Sequence, residues 1–533
     1  MDRIFVNHDH LSRWRSDEGV QLIHAWPRPM TDAVTINAVP AAATKLSSIE
    51  TWLDERRNWA ACAIAVLALQ ATLVLTHRPW LDEWQALQIS LQSPTLSALF
   101  ENLRYEGHPP VWYLLLRGAA SILRPAWVLP IVQLPIALAI QALILFRLPL
   151  ARVERLLLAC NPYVLIDYGA ISRSLGLGIL LLLVASLFIH RRSVWLAIAA
   201  LPMMDFLFGV LSIVWILVLW RDKKLWAPGL ALWLVCGVAA AWLVRPAPDM
   251  IPAFWLNGPV KDGLVEVTRF GALLFPLAIA DGHLVWNEAP PVAAALVGGI
   301  LFIAMGIWLL RRDRFLQILF GGFVVLILAF SIYVYPLAIR HVSLAAMLLT
   351  LFVSAVHARQ GDERRLFDAW LALGALCGAA IVFANLTRPF DTAPEAASFI
   401  LEHHLENGHW VSFPDSRAQG VSALTGAEFE RLERNCTETF IRWNYRSKIK
   451  WPWDLELELD RVALRSGSFY LLTDFNLLGV PLHDRAAYRQ LTFVPAGVDG
   501  QQFYLYQVRP NLPQKPEHLP QCAPERLPLR IMR

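Results

Sequence analysis

Two adjacent carboxylates, Asp82 and Glu83, follow directly on an apolar run. Further on the chain reads Tyr105-Glu106-Gly107-His108-Pro109-Pro110-Val111-Trp112-Tyr113 as the next apolar run opens. An ionisable group at a membrane boundary is costly unless it is paired or sits in a wet cavity, so a chemical role is the default reading. Such a carboxylate can take a proton from a nucleophile. It can equally cap an interfacial helix, since acidic groups are favoured at a helix N-terminus. Two later segments share this placement: Asn161-Pro162-Tyr163 leads to Asp167-Tyr168 and Arg173, and Tyr335-Pro336 leads to Arg340-His341. Each arginine stands at the end of an apolar run. It can hold an anion there or simply anchor its helix by reaching to the headgroups. His108 can donate to a substrate, bind a metal or make a structural hydrogen bond.

The elements that position these residues follow from composition. Of 533 residues 56% are hydrophobic and 17% charged, against roughly 25% charged in a soluble domain. Mean hydropathy is +0.44. The chain reads as a polytopic α-helical membrane protein. Its 22 Trp suit the headgroup level, and a net charge of +4 leaves no footprint for nucleic acid. No basic start with an apolar core and a cleavage site marks a signal peptide. Apolar runs lie near 58–77, 109–124, 125–147, 153–168, 174–190, 193–207, 208–220, 225–244, 291–310, 315–335, 338–357 and 366–386. The stretch 264–281 carries Glu266 and Arg269 and reads as a re-entrant or interfacial helix. The pattern predicts about 11 to 13 transmembrane helices.

Basic clusters at Arg191-Arg192, Arg221/Lys223/Lys224, Arg311/Arg312/Arg314 and Arg359/Arg364/Arg365 mark the cytoplasmic ends. Residues 1–57 form a cytoplasmic arm, 58–386 a membrane domain with its outer loop at 78–110, and 387–533 a soluble α/β domain on the far side. Arg147, Arg152 and Arg155 are also expected to be cytoplasmic, which requires that one of the segments 109–124 and 125–147 does not fully cross. In the outer domain, helices are expected at 394–406 and 454–465, and strands at 409–413, 468–474 and 502–508. Cys62, Cys160, Cys236 and Cys377 lie in apolar runs. Cys436 and Cys522 are alone in the outer domain, where they form a disulfide or remain two thiols. The second outer loop, 245–290, holds Asp249, Lys261, Asp281, His283 and Glu288, either as an ordinary solvated loop or as a cover over a substrate.

The order of the three segments resembles that of the GT-C glycosyltransferases, nearest to the branch of protein O-mannosyltransferases and lipid A aminoarabinose transferases. Leu175 stands where that family usually carries an aromatic. The resemblance covers 58–386 and implies a GT-C fold and a polyprenyl-phosphate-linked sugar as donor. It also implies a glycan, lipid or protein acceptor at the outer face of a bacterial inner membrane, and inversion at the anomeric carbon. In this reading Asp82 is the base and Glu83 helps to position it. Arg173, Arg340, His108 and Lys261 hold the leaving phosphate. Glu106, Tyr113, Asp167, Tyr168 and His341 position donor and acceptor. No cofactor is required; a divalent metal on Glu106, His108 and His283 is the one candidate. The two guanidiniums are expected roughly 6 to 12 Å from the Asp82 carboxylate, across one sugar. The rival is a transporter or lipid flippase, which calls for inverted repeats and mid-membrane charge. The candidates here sit at run ends, and only Asp205 lies between two runs.

Overall fold

The computed structural model describes residues 49–250, 259–280, 283–286, 291–335, 337–356, 362–444, 449, 453–509 and 519–522. Met1–Ala60 form one compact unit and Ala61–Arg533 the other. The chain is mostly helical, with a sheet confined mainly to its C-terminal part. Among the described residues five helices are long and apolar enough to cross a membrane, or six if a bent pair counts as one span. The five are α1 (Arg56–Thr76), α5 (Pro125–Arg147), α12 (Val292–Leu309), α13 (Arg314–Tyr333) and α16 (Asp362–Thr387). Between them, in chain order, come α2 (Leu81–Gln92), α3 (Leu96–Glu106) and α4 (Val111–Ala120), then α6 (Arg152–Ala159), α7 (Ser174–Leu187), α8 (Val194–Ala200), α9 (Phe206–Arg221), α10 (Ala227–Leu243) and α11 (Pro259–Leu274). The four-residue α14 (Ile339–Val342) runs into α15 (Leu344–Ala355).

Two apolar runs differ from the expected simple spans. The ten residues of α4 rise only about 15 Å, half of a hydrocarbon core of about 30 Å. The helix in segment 109–124 is therefore too short to cross a membrane by itself. The run 153–168 is broken. Helix α6 stops at Ala159, a π-helix covers Tyr163–Ala170, and α7 departs at 115° from it. Pro162 supplies no N–H at the break, and Asn161 Oδ1 accepts the Tyr163 N–H at 3.0 Å instead. Three buried glutamines serve the interrupted backbone. Gln70 donates to the Leu165 carbonyl (3.1 Å), Gln133 to those of Tyr168 and Gly169 (both 2.9 Å), and Gln141 to that of Ala159 (3.1 Å). Amides in an apolar bundle are costly unless paired, so these side chains hold the bend that delivers Arg173.

After α16 the chain enters a six-stranded mixed sheet in the order β5-β4-β3-β6-β8-β7. A separate small hairpin, β1 (Ala278–Ala280) with β2 (His283–Val285), precedes α12. In the large sheet β3 (Trp410–Phe413) runs parallel to β4 (Phe429–Arg431) and to β6 (Phe469–Thr473). The remaining pairs, with β5 (Cys436–Glu438), β7 (Tyr488–Val494) and β8 (Phe503–Val508), are antiparallel. Side chains alternate across the strands. Trp410 and Leu472 pack with α17 (Ala393–Glu402) and α18 (Gln419–Thr425), whereas Val411 and Leu471 pack with α19 (Trp453–Ser466). Cys436 and Cys522 are joined by a disulfide. It ties the edge strand β5 to the tail, where Cys522 donates to the Thr437 carbonyl at 2.8 Å.

Candidate active site

Asp82 lies in the first turn of α2, and Glu83 closes that turn by accepting the Trp80 N–H at 3.0 Å. The two carboxylates then part. Glu83 also accepts the Ser172 N–H (2.6 Å) and pairs with His77 Nε2 (2.8 Å), so α2, the end of α1 and the bend before Arg173 meet on it. Asp82 points elsewhere, and its Oδ2 pairs with Arg340 Nη2 at 2.9 Å. Both side chains of that pair are buried, at 2% and 6% exposure.

Arg173 is the extended residue that starts α7. Its Nη1 donates to the backbone carbonyl of Asp82 (2.6 Å), and its Nη2 meets His108 Nε2 at 3.1 Å. An arginine only donates, so Nε2 accepts and the His108 proton sits on Nδ1. That proton faces Asp205 Oδ2 at 3.2 Å. Asp205 in turn caps α9, accepting the Leu207 N–H at 2.9 Å. His108 owes its place to Gly107, which ends α3 at φ +70°. Only glycine takes that conformation cheaply, and Pro109-Pro110 then start α4. A chain of contacts thus runs Asp205, His108, Arg173, Asp82, Arg340, drawn from five segments.

Arg340 sits on α14. Its guanidinium lies over the Trp80 ring at 4.9 Å, and its Nη1 has no partner among the described residues. Trp80 meets Trp286 edge-on (5.1 Å), and the Trp286 indole donates to Asp167 at 2.5 Å. Tyr168 and Ser343 share a 2.6 Å hydrogen bond, and His341 Nδ1 accepts the Ala338 N–H. Tyr168 and His341 therefore brace the segments that carry the arginines. An apolar cavity lined by Tyr163, Ala272, Pro276, Trp286, Ile339 and Ile381 ends at Asp167.

The expected one-sugar gap is absent. Arg340 touches Asp82 directly, and Arg173 touches its backbone, because two arginines and an aspartate buried together lower their energy by pairing. Neither guanidinium reaches outward to lipid: both arginines are 5% exposed. Of the metal candidates, the side chains of Glu106 and His108 are described and that of His283 is not. No group of three or more His, Cys, Asp or Glu able to hold a metal occurs among the described residues. The ring nitrogens of His108 face Arg173 and Asp205. The side chains of His283 and Lys261 lie outside the described structure, as do Asp281, Glu288 and Pro336. Asp249 is in contact with Tyr105 (2.7 Å) and Asn444 (3.1 Å).

His77 and Asp205 are site residues that the motif reading did not use. Both are polar groups at the edge of apolar helices, which was the available signal. Comparison of the chain with protein-family models, curated proteins and solved structures returns no match.

Proposed function

We propose that the protein is an integral membrane glycosyltransferase of GT-C type. It moves a monosaccharide from a polyprenyl-phosphate donor to an acceptor on the outer face, with inversion. The observation that carries this reading is the convergence of Asp82, Arg173, Arg340 and His108 in one buried cluster. A carboxylate among arginines, with one guanidinium nitrogen unpartnered, suits a reaction that takes up a proton and releases a phosphate. The acceptor O–H gives its proton to Asp82 as its oxygen bonds to the anomeric carbon. The bond from that carbon to the phosphate oxygen breaks, and the electron pair leaves on the lipid phosphate. No general acid is needed for an anionic leaving group. Arg340 Nη1 receives the phosphate while Nη2 still touches Asp82, so base and leaving group stand one guanidinium apart. Asp205 and His108 hold Arg173 in line.

In this reading the long and short apolar helices together make the roughly 11 to 13 crossings of a polytopic bundle. The N-terminal arm is cytoplasmic. Residues 387–533 face the periplasm or exterior, and the Cys436–Cys522 bridge supports an oxidising side. The test is lipid analysis of a strain lacking the protein, joined to an assay of purified protein. Accumulated polyprenyl-phosphate sugar in the strain, and release of polyprenyl phosphate in the assay, are expected. Asp82→Asn should lower turnover by about 100-fold or more. Unchanged lipid-linked sugars and no phosphate release would overturn the proposal.

A further inference from the structure

We propose that the C-terminal domain completes the site with a strap, Thr439–Asn444, whose Trp443 joins Glu106 and Tyr113 in a subsite for one hydroxyl of the transferred sugar. This rests on the transferase reading above.

The strap leaves β5 directly after the strand held by the disulfide. It is bonded to α2 and α3 along its length. Thr439 Oγ1 donates to Gln92 (2.5 Å). The Gln85 amide binds both the N–H (3.1 Å) and the carbonyl (2.8 Å) of Ile441. Arg442 Nε donates to Asn102 (2.9 Å), and Trp443 Nε1 donates to Glu106 Oε1 at 3.2 Å. Gln85 follows Asp82 by one turn of the same helix. The strap is therefore registered against the element that carries the base. Among these bonds the Trp443 indole is the one that reaches Glu106.

Glu106 Oε1 is served twice, by Trp443 and by Gln85 at 2.9 Å. Its Oε2 has no partner among the described residues, although Glu106 is 4% exposed. The Tyr113 hydroxyl, on a residue 1% exposed, has none either. The two lie within electrostatic reach of one another and of Asp82 and Arg173. Buried polar atoms in folded proteins are almost always paired. An open carboxylate oxygen and an open phenol, both buried and within electrostatic reach of each other, suit a hydroxyl, which donates to Glu106 Oε2 and accepts from Tyr113. Burial pushes the Glu106 carboxyl up from its ordinary range, and an incoming O–H donor offsets that cost. Trp443 makes this corner depend on the outer domain. Its half-buried ring also offers an apolar edge to a sugar.

The test uses full-length protein in detergent and four probes: farnesyl phosphate, and farnesyl-phosphate mannose, glucose and galactose. Binding is read by calorimetry, and turnover by release of farnesyl phosphate when a membrane extract of a strain lacking the protein supplies the acceptor hydroxyl. Wild type should separate the best from the worst hexose by about tenfold or more, the worth of one buried hydrogen bond. Glu106→Gln and Tyr113→Phe should collapse that ratio toward unity while farnesyl phosphate binds as before. Trp443→Phe, which keeps a ring and loses the N–H, should reduce the ratio. Trp443→Ala should reduce it further. If Trp443→Ala does not fold, Glu106→Gln carries the test alone. An unchanged ratio in Glu106→Gln and Tyr113→Phe overturns the subsite, as does wild type that binds all three hexoses no better than farnesyl phosphate, the result for a corner filled by water. Discrimination in binding with no turnover leaves the subsite standing and removes the transferase reading. Turnover with unaltered discrimination does the reverse.

Discussion

Asp82 and Glu83 are neighbours with opposite duties, and their partners show why. Glu83 accepts from two backbone N–H groups and pairs with His77, so its oxygens are committed to holding α2 against the bend at Ser172. Glu83→Gln should therefore lower the melting temperature as well as activity, because an amide presents only one acceptor oxygen to those donors. Asp82→Asn strands the Arg340 charge and should also lower melting, but it should cost turnover about 100-fold or more where Glu83→Gln costs less; equal losses of turnover in the two variants would contradict the division of roles. Asp82 carries a second consequence through Arg340. Removing one partner of a buried pair strands the other, at a typical cost of about 3 to 5 kcal/mol. Arg340→Ala should show such a loss in denaturant or thermal unfolding, and the double variant with Asp82→Ala should be less damaged than the sum of the two singles. An additive double variant would mean that the contact at 2.9 Å is energetically idle. Adjacent Asp and Glu look alike in a sequence; only their partners, which come from distant segments, separate them.

At the scale of elements, the site depends on a helix that does not run straight. The π-helix and the 115° bend bring Ser172 onto Glu83 and Arg173 onto Asp82. Gln133 holds that bend through the carbonyls of Tyr168 and Gly169. Gln133→Leu, similar in volume, would leave those carbonyls short of a donor. Unfolding should then be easier by about 1 to 3 kcal/mol, and activity should fall although Gln133 touches no reacting group. Wild-type activity in Gln133→Leu would sever the bend from the site. Helix positions were largely legible, since α1, α5, α12, α13 and α16 follow the apolar runs within a few residues. The break was not, because hydropathy counts apolar side chains and is blind to which carbonyls lack a donor. Gln70, Gln133 and Gln141, three amides inside apolar runs, were the legible trace of it. In the outer domain the strands β3, β6 and β8 were readable from apolar alternation. Strands β4 and β5 were not, being three residues long with charged or polar members, and neither was β7, whose Arg489 and Gln490 face solvent on an edge. The strap with Gln85 and Trp443 had no sequence signal, since its ladder joins positions more than 300 residues apart.

At the scale of the whole chain, the joint between the apolar helices and the C-terminal domain is itself a titratable element. Beyond α16, Phe390 stacks on His77 at 4.6 Å, and Arg78 bridges to Glu395. The turn Gly497–Gln501 folds back on this linker. Val498 donates to the Pro389 carbonyl (3.0 Å), Asp499 donates to that of Phe390 (2.9 Å), and Trp286 donates to that of Val498 (2.7 Å). Asp391 and Asp499 are brought side by side there. Burial pushes both carboxyls up, and the charge of each neighbour adds to the shift of Asp391; Asp499 rises to about 7. The folded joint therefore holds a proton that the unfolded chain releases near pH 4. The sign follows from linkage. The folded state binds more protons across this window, so the pair's contribution is complete below about pH 4 and is lost as pH rises through about 7. Asp499→Asn keeps the shape, still offers an oxygen to accept from Asp391 and removes one titrating group. The melting temperature of wild type in detergent should fall between pH 5 and pH 8 by more than that of Asp499→Asn. The variant should be the more stable of the two at pH 8, where the wild-type joint buries the Asp499 charge that the variant lacks. Parallel pH profiles for the two proteins would show that the carboxylates titrate as ordinary surface groups and that the joint is held by Phe390, Val498 and Trp286 alone.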